Sequence, residues 1–413
     1  MKKVIISLLV AGAVAAANAQ DKALLETLVK KGMLTQQEAA QIAKDSVAVT
    51  PATKSTKSIK IFGGAQGWYS WGKNSVKSGS KTFGQQNGFT LRYVKLGIEA
   101  DVGGGWSAEV VTDFGMEGES KNYLDKVVAS KKIDLDYING TLQLGLRKVN
   151  MGYEQNMDDF GQLAVERSVA TYFFPRYDGK NFGSRTVGVF WDGNITQVDG
   201  LYYGAAVTSG VSEGGVDNYI TEAQDSSALS FWANMGYKNV ADVKGETLSY
   251  DIGVNFGYAP QGMNDDIRYT KKGSVWGINP YATLNWRGLT LIGEFFLQQA
   301  EDYTPGRNGV GRTPMGANFT AAYKMDIGEW GAIEPVFRGS YVSTNGMGLH
   351  SAYSGDDLEN VNQAMTFYGG VNWYATTAVK TSLGYEFAYY DQGDASVERV
   401  YGNTVWAQVQ VLF

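Results

Sequence analysis

Alternation of apolar and polar residues is the feature that most limits how this chain can fold. Between residues 248 and 258, every even-numbered residue is aliphatic or aromatic, and every odd-numbered one is Gly, Ser, Asn or Asp. The segment 379–389 repeats the pattern with its mainly apolar side chains at odd positions. Because successive side chains of a strand point to opposite faces, alternation predicts a sheet with one apolar and one hydrophilic face. A soluble β-sandwich alternates as well, so the pattern alone leaves two architectures open.

The segment from Trp276 to Trp286 favours a sheet that crosses a membrane. Its even positions carry Trp at both ends and only apolar residues between them. About ten residues at a rise of about 3.3 Å extend roughly 33 Å along a strand. A tilt of about 40° reduces this to roughly 25 Å, the height of the apolar band of a membrane barrel, which aromatic girdles border. We therefore predict that Trp276 and Trp286 are interface aromatics and that the odd positions face a wet lumen.

The polar face of one predicted strand is interrupted. In the segment 289–298, the leucines alternate with polar residues, but Ile292 and Phe296 stand where the pattern calls for polar side chains. Alternation by itself does not explain why a lumen-facing position is apolar.

Turns and loops alternate in length along the chain. The predicted tight turns are 103–105, 139–140 and 287–288, and the predicted long loops are 72–88, 259–273, 301–314 and 345–362. Short turns at one end and long loops at the other are typical of outer-membrane barrels. Counting strands from Ile59 to Phe413 gives about 16, an even number. The fold class that we predict is all-β: a transmembrane antiparallel β-barrel of about 16 strands, preceded by a short α-helical periplasmic segment.

Both ends of the chain resemble export and assembly signals. Lys2 and Lys3 precede a short apolar stretch and Ala-Asn-Ala at 17–19, which predicts a signal peptide over 1–19 that is cleaved after Ala19. The predicted location is the outer membrane of a Gram-negative bacterium. The last strand ends on the aromatic Phe413, in register with its apolar face. This ending resembles the assembly signal of bacterial outer-membrane proteins and implies the barrel-assembly machinery as a partner.

Two further segments separate the signal peptide from the barrel. Residues 20–45 are predicted to form a short helix-turn-helix or coiled-coil segment, in which Thr35 and Glu38 form a capping box. Residues 46–58 are rich in Ser, Thr, Ala and Lys and are predicted to be a linker before the barrel domain, 59–413. The helical segment has too few apolar residues to fold alone. Self-association, packing beneath the barrel, or disorder until a partner binds all stay open.

Composition excludes several classes of function. The formal net charge is −6, which gives no reason to expect a nucleic-acid partner. The chain has no Cys, so thiol nucleophiles and thiolate metal sites are excluded, and its single His is His350. No cluster of metal-ligand spacing and no phosphate-binding glycine loop between a strand and a helix is present, so no metal or cofactor is predicted.

The middle of the chain contains several distinctive motifs: Phe89-Thr-Leu-Arg-Tyr-Val-Lys-Leu-Gly-Ile-Glu99 with Gly104-Gly-Trp-Ser107, Leu144-Gly-Leu-Arg-Lys-Val-Asn-Met-Gly-Tyr-Glu154, Glu166-Arg-Ser168 and Arg185-Thr-Val-Gly-Val189. These motifs resemble the phosphate-selective porin O/P family, a group of 16-stranded, usually trimeric porins. Asn150 departs from the family's usual Pro. The resemblance implies a homotrimer in outer-membrane lipid and lipopolysaccharide. It also implies that the third loop, about 151–184, folds inward and sets the pore constriction; an extracellular loop against trimer neighbours is the alternative.

Charged residues of this loop and of the predicted lumen face are the candidate pore residues. They are Lys95, Glu99, Arg147, Glu154, Asp158, Asp159, Glu166, Arg167, Arg176, Glu294, Glu334 and Arg338. Charge rings and pore width set selectivity in such channels. Neither sign dominates, and no Arg cluster of the kind that phosphate capture needs stands out in the sequence. We predict a water-filled, weakly selective porin for passive diffusion of ions and small polar solutes, with an anion- or phosphate-selective channel as the alternative.

Two other functions are less well supported by the sequence. A barrel enzyme would need an activated nucleophile, and the only adjacent Ser and His are Ser351 and His350 in a predicted loop. Neighbours along a loop are poorly placed to act as a nucleophile and its base, so we predict that the protein is not an enzyme. A barrel that only anchors an envelope tether is disfavoured, because about 16 strands enclose an aqueous channel.

Overall fold

The computed structural model describes residues 57–76, 82–115, 124–176, 185–209, 229–260, 274–302, 310–346, 349, 361–391 and 399–413. The predicted signal peptide, the helical segment and nearly all of the linker lie outside these residues, as do His350 and Ser351. Among the helices within the described ranges, none combines the length and the apolar character needed to cross a membrane.

Sixteen antiparallel strands form the wall of the molecule. They are β1 (Ser58–Val76), β2 (Thr82–Gly103), β3 (Trp106–Asp113), β4 (Leu124–Asp134), β5 (Ile138–Lys148), β6 (Arg185–Ile195), β7 (Leu201–Thr208), β8 (Ser230–Val243), β9 (Glu246–Ala259), β10 (Val275–Trp286), β11 (Leu289–Asp302), β12 (Val310–Arg312, Met315–Tyr323 and Met325–Asp326), β13 (Ala332–Ser343), β14 (Gln363–Tyr374), β15 (Val379–Asp391) and β16 (Val400–Leu412). The segments of β12 follow one another in the same position between β11 and β13.

The sheet closes on itself. Each strand pairs with its neighbours in the chain, and β1 pairs with both β2 and β16. The β1–β16 ladder runs from Gly64 opposite Leu412 to Val76 opposite Val400. The chain end extends this ladder, because Phe413 and Gly63 exchange two backbone hydrogen bonds of 3.1 Å. The predicted fold class, an antiparallel β-barrel of about 16 strands, is confirmed.

Short connections gather at one end of the barrel and mostly longer ones at the other. The first set is 104–105, 135–137, 196–200, 244–245, 287–288, 327–331 and 375–378; the second is 77–81, 114–123, 149–184, 209–229, 260–274, 303–309, 344–362 and 392–399. Positive φ angles at Lys244, Gly245, Arg287 and Gly288 fit type I′ hairpin turns, which need a residue such as Gly at the second position.

Two predicted connections are wrong in position. Asn139 and Gly140 lie inside β5, because the ladder with β4 continues until Asn139 pairs with Asp134. The chain reverses at 135–137 instead. The predicted loop 72–88 is also mostly strand, since β1 and β2 extend well beyond the segment that alternation marks.

The two faces of the wall have opposite surroundings. Outward-facing apolar side chains are exposed in the single chain, as the exposed fractions of Ile252 (57%) and Leu383 (61%) illustrate. The inward face is buried along β11 to β16, where residues 149–176 fill that side of the lumen. This segment contains two short helices, α1 (Tyr153–Asn156) and α2 (Val169–Thr171), and a π-helical turn, Tyr172–Arg176.

Aromatic side chains of the lumen lie flat against glycines of neighbouring strands. The ring of Tyr368 on β14 covers both Gly370 and Gly384; a Cβ built on either glycine would lie 2.7 Å from the tyrosine Cζ. Tyr281 covers Gly253 on β9 in the same way. These glycines leave room for buried rings where any side chain would collide.

Gly384→Val should destabilise the barrel. Tyr368 is only 1% exposed, so its ring has no free space to move into, and overpacking of this kind costs about 1–3 kcal/mol. We expect the unfolding temperature in detergent to fall. Gly369→Val on the outer face is the matched control, because no atom lies within 4 Å of its Cβ position. Equal unfolding temperatures for the two variants would contradict the role given to these glycines.

Candidate functional site

The segment between β5 and β6 enters the barrel and packs against its wall. We call residues 149–176 the inner loop. The ring of Phe174 stacks on Phe296 of β11, with 5.0 Å between centroids and 5° between planes, and Phe173 meets Phe174 edge-on at 4.8 Å. Ile292 and Phe296 are buried toward the inner loop. The apolar side chains that interrupt the polar face of β11 thus form the surface against which the inner loop packs.

Glu294 receives the N-terminus of helix α1. Its carboxylate accepts the backbone amides of Tyr153 at 2.7 Å and Glu154 at 3.2 Å. The side-chain amides of Asn279 and Asn318 donate to the same carboxylate at 3.0 and 2.8 Å. The first amides of a helix have no partner within the helix and favour an anion, so this wall carboxylate fixes where the loop enters the lumen.

Arg338 of β13 joins the inner loop to the wall. Its guanidinium donates to Glu154 at 3.0 Å, to the backbone carbonyl of Glu166 at 2.5 Å and to Glu386 of β15 at 2.8 Å. The Arg338 side chain is 1% exposed. Removing one partner of such a buried set leaves an uncompensated charge, which is strongly destabilising.

Asp159 is the centre of a second charged cluster. Lys95 of β2 and Arg167 of the inner loop contact its carboxylate, and Lys148 of β5 lies at 3.3 Å. Arg185 of β6 is 3.9 Å away. Burial by itself would raise the pKa of Asp159, but these cations outweigh it and hold the pKa well below its ordinary value. The carboxylate therefore stays ionised at neutral and mildly acidic pH.

A β-bulge brings Arg92 into the lumen. The register between β1 and β2 shifts between the pairs Gln66–Tyr93 and Gly67–Leu91. Arg92 is thereby buried, and its guanidinium holds Glu166 of the inner loop through contacts of 2.8 and 3.0 Å. Strict alternation from Lys95 assigns Arg92 to the outer face, so sequence reasoning missed it.

Cavities remain between the inner loop and the wall on the β2–β10 side of the lumen, where the loop also bonds to the wall through Asn150, which donates to Asp192 and Asn234. One cavity of about 620 Å³ lies between the loop and β2 to β5, with Arg147 and Asp158 in its lining. Cavities of about 1080 and 330 Å³ lie along β6 to β10 and share Tyr153, Lys238 and Asp251. Asn156 and Met157 of the loop line both the cavity of about 620 Å³ and the cavity of about 330 Å³. We call the space that these adjoining cavities occupy between the loop and the wall the passage.

Most predicted pore residues hold the loop in place. Lys95, Glu154, Asp159, Glu166, Arg167, Glu294, Glu334 and Arg338 are all buried. Glu334 acts through Asn372, whose amide donates to Glu334 at 3.0 Å and to the Leu163 carbonyl of the loop at 2.9 Å.

The other candidates lie elsewhere. Arg147 lines the passage and pairs with Asp192 of β6, and Asp158 is exposed to the passage. Glu99 is exposed near the short-turn end, away from the inner loop. Arg176 ends the π-helical turn, and its side chain lies outside the described part of the structure. Trp276 and Trp286 stand near the two ends of β10, as the spacing predicts, but their interface role and the signal role of Phe413 stay predictions.

The basic cluster around Asp159 corrects the sequence interpretation. The sequence shows no Arg cluster, but the fold brings Arg167, Arg185, Lys95 and Lys148 to one carboxylate. Lys148 and Arg185 were missed as site residues. Both belong to the family-like motifs, Lys148 at the end of β5 and Arg185 at the start of β6, and this membership is the signal that marked them. Within the described ranges, no group of Asp, Glu, His and Cys is arranged to hold a metal ion.

Comparisons with known proteins find similar folds only. No protein-family model matches the chain, and no curated protein does. OprB of Pseudomonas putida is 10% identical, with 86% of this chain and 94% of that chain covered and a TM-score of 0.59. The anion-selective porin of Comamonas acidovorans is 12% identical, with 86% and 99% covered and a TM-score of 0.54. OmpF of Salmonella typhi, solved with daunomycin, is 15% identical, with 85% and 97% covered and a TM-score of 0.54.

Likeness at these identities shows the fold alone. The chain therefore shares its barrel architecture with solved outer-membrane porins. Its resemblance to the phosphate-selective O/P family in particular stays a prediction.

Asp159→Asn should loosen the inner loop. The substitution leaves Lys95, Lys148 and Arg167 without their common counter-charge, at a cost of about 3–5 kcal/mol. We expect a lower unfolding temperature and faster protease cleavage within the loop. Asp158→Asn is the matched control, because the neighbouring carboxylate is exposed and its neutralisation should leave both measurements nearly unchanged. Equal protease resistance of both variants would show that the cluster does not hold the loop.

Proposed function

We propose that this protein is an outer-membrane porin, a water-filled channel for passive diffusion of ions and small polar solutes. One observation carries the proposal: buried ion pairs anchor the inner loop to β2 and β13 of a closed barrel, and cavities remain between the loop and the wall along β2 to β10. A loop held in this way narrows a pore without closing it. The exposed apolar outer face is suited to contact with lipid acyl chains, and lipopolysaccharide is the expected neighbour at the long-loop end.

Weak ion selectivity follows from the charges of the passage. The lining of the cavity of about 620 Å³ contains four basic and four acidic residues: Lys95, Lys126, Arg147 and Lys148 against Glu109, Asp125, Asp158 and Asp159. Most of them are paired, such as Lys126 with Glu109 at 2.6 Å. Paired charges of equal number produce little net potential for a passing ion.

An anion- or phosphate-selective channel is the second candidate. The basic cluster around Asp159 favours it, because Arg and Lys donors that converge on one point can bind an oxyanion. In the described structure, Asp159 and Asp125 already accept these donors. We therefore rank the weakly selective channel first.

The assembly of the channel belongs to the same proposal. A cleaved signal peptide, recognition of Phe413 by the barrel-assembly machinery and a homotrimer are the remaining predictions, and the fold is compatible with each. The purified protein should elute as a trimer in detergent.

Conductance in a planar bilayer tests the proposal directly. In a gradient of KCl, we expect discrete current steps and a reversal potential near zero. A reversal potential close to the limit for an ideally anion-selective pore would instead establish the second candidate. Absence of conductance from correctly folded protein would contradict channel function altogether.

Asp158→Lys should shift the channel toward anions. The residue is exposed to the passage on the loop side, and the substitution changes the local charge by two units. We expect the reversal potential to move in the anion-selective direction. Glu329→Lys makes the same charge change in the exposed connection between β12 and β13 and should cause a smaller shift. Equal shifts would mean that Asp158 does not stand at the narrow part of the pore.

A further inference from the structure

Amide and phenol side chains dominate one wall of the passage. The cavities of about 1080 and 330 Å³ along β6 to β10 form a groove that shares Tyr153, Lys238 and Asp251, and we call it the asparagine groove. Its asparagines include Asn139, Asn194, Asn234, Asn239, Asn255 and Asn285. Such a concentration of one neutral polar side chain contrasts with the charged lining of the cavity beside β2 to β5.

Free hydrogen-bonding capacity remains in this groove. The side chains of Asn139 and Asn194 form no hydrogen bond with another described residue, and both have surface open to the lumen. Each amide can donate and accept at once. A hydroxyl group of a solute also does both, whereas a halide or a carboxylate only accepts and a metal cation binds the amide oxygen alone.

Three of the four charged side chains that line the groove contact other protein groups. Asp251 accepts the hydroxyl of Tyr202 at 2.6 Å, and the ammonium of Lys238 lies 5.4 Å from the centroid of the Tyr202 ring. Asp192 is paired with Arg147. Asp199 also lines the groove, so the lining charges outside the Asp192–Arg147 pair are Asp199, Asp251 and Lys238, and their small negative excess disfavours an anion.

Aromatic surface completes the groove. The rings of Tyr153 and Tyr281 lie 5.0 Å apart, tilted by 36°, where the inner loop faces β10. Tyrosine combines an apolar ring with a polar tip, so it can contact the C–H face of a sugar ring while its hydroxyl bonds to a neighbour. From Ser249 to Asn255 the groove runs about 20 Å along β9, a length that accommodates a few linked hexose rings.

We propose that the asparagine groove binds neutral polyhydroxylated solutes, namely sugars and short oligosaccharides, on their way through the channel. The inference rests on the proposed channel function and gives it a substrate class. The asparagine amides exchange hydrogen bonds with the hydroxyl groups of the sugar, and the tyrosine rings contact its C–H faces. These contacts are individually weak and recur along the groove. Contacts of this kind slow a sugar without trapping it.

Equilibrium binding separates this inference from the channel proposal, because it needs no conduction. We would titrate the detergent-solubilised protein with maltotriose and with inorganic phosphate by calorimetry, and measure the block of KCl current by maltotriose in parallel. The double variant N139A/N194A removes two unpaired amides and should raise the half-saturating maltotriose concentration by at least about fivefold. Asn403→Ala is the matched control, because Asn403 lies on the outer face of β16, away from the groove, and accepts a hydrogen bond from the hydroxyl of Tyr385.

Each outcome bears on the inference. Maltotriose binding that weakens in the double variant, stays unchanged in the control and exceeds phosphate binding supports it. Ion current without any maltotriose binding or block would overturn it and leave the channel proposal intact. Unchanged binding in the double variant would show that the site lies elsewhere, and tighter binding of phosphate would show that the class of ligand is wrong. If the variants and the parent protein unfold at the same temperature but show neither ion current nor maltotriose binding, both proposals are wrong.

Discussion

Closure of the sheet between β1 and β16 is the constraint on which the rest of the structure depends. A strand surrounded by hydrocarbon needs every backbone amide and carbonyl paired, and only a closed ladder provides this. The hydrogen-bonded ladder is closed between the first and last strands, from Val76 opposite Val400 to Gly63 opposite Phe413. Sixteen strands then enclose a lumen too wide for wall side chains to fill, so the interior is available for a loop and for water.

The charged side chains that the inner loop buries inside that lumen are compensated by charged side chains of the wall. Each of its buried carboxylates meets a partner from the wall: Glu154 meets Arg338, Asp159 meets Lys95 and Glu166 meets Arg92. The aromatic rings of the loop pack against apolar side chains of the wall, as Phe174 does against Phe296. Most of the ion pairs that anchor the loop involve β2 and β13, whereas its contacts with β6 and β8 are fewer and include the bonds of Asn150 to Asp192 and Asn234. This asymmetry narrows the lumen and leaves the asparagine groove along β6 to β10.

The sequence predicts the fold more completely than the site. The alternation of β9 and β15, the register of β10 between its two tryptophans and the separation of short from longer connections all appear in the structure. Local sequence patterns are enough to predict these features, because successive side chains of any strand point to opposite faces of the sheet. The site is less predictable: the charges expected to line water are mainly anchors, and Arg92 reaches the lumen through a bulge that one-residue alternation does not reveal.

The sequence by itself determined which face of most strands is apolar, the approximate number of strands and where a long inserted loop must lie. Tertiary structure alone decided which charges meet, which residues remain exposed to the passage and where neutral amides line up. The physical reason is separation along the chain. Glu154 and Arg338 are 184 residues apart, and Lys380 and the Phe160 carbonyl are 220 apart. Only the closed barrel brings such groups within hydrogen-bonding distance, because their neighbours in sequence carry no information about the opposite wall.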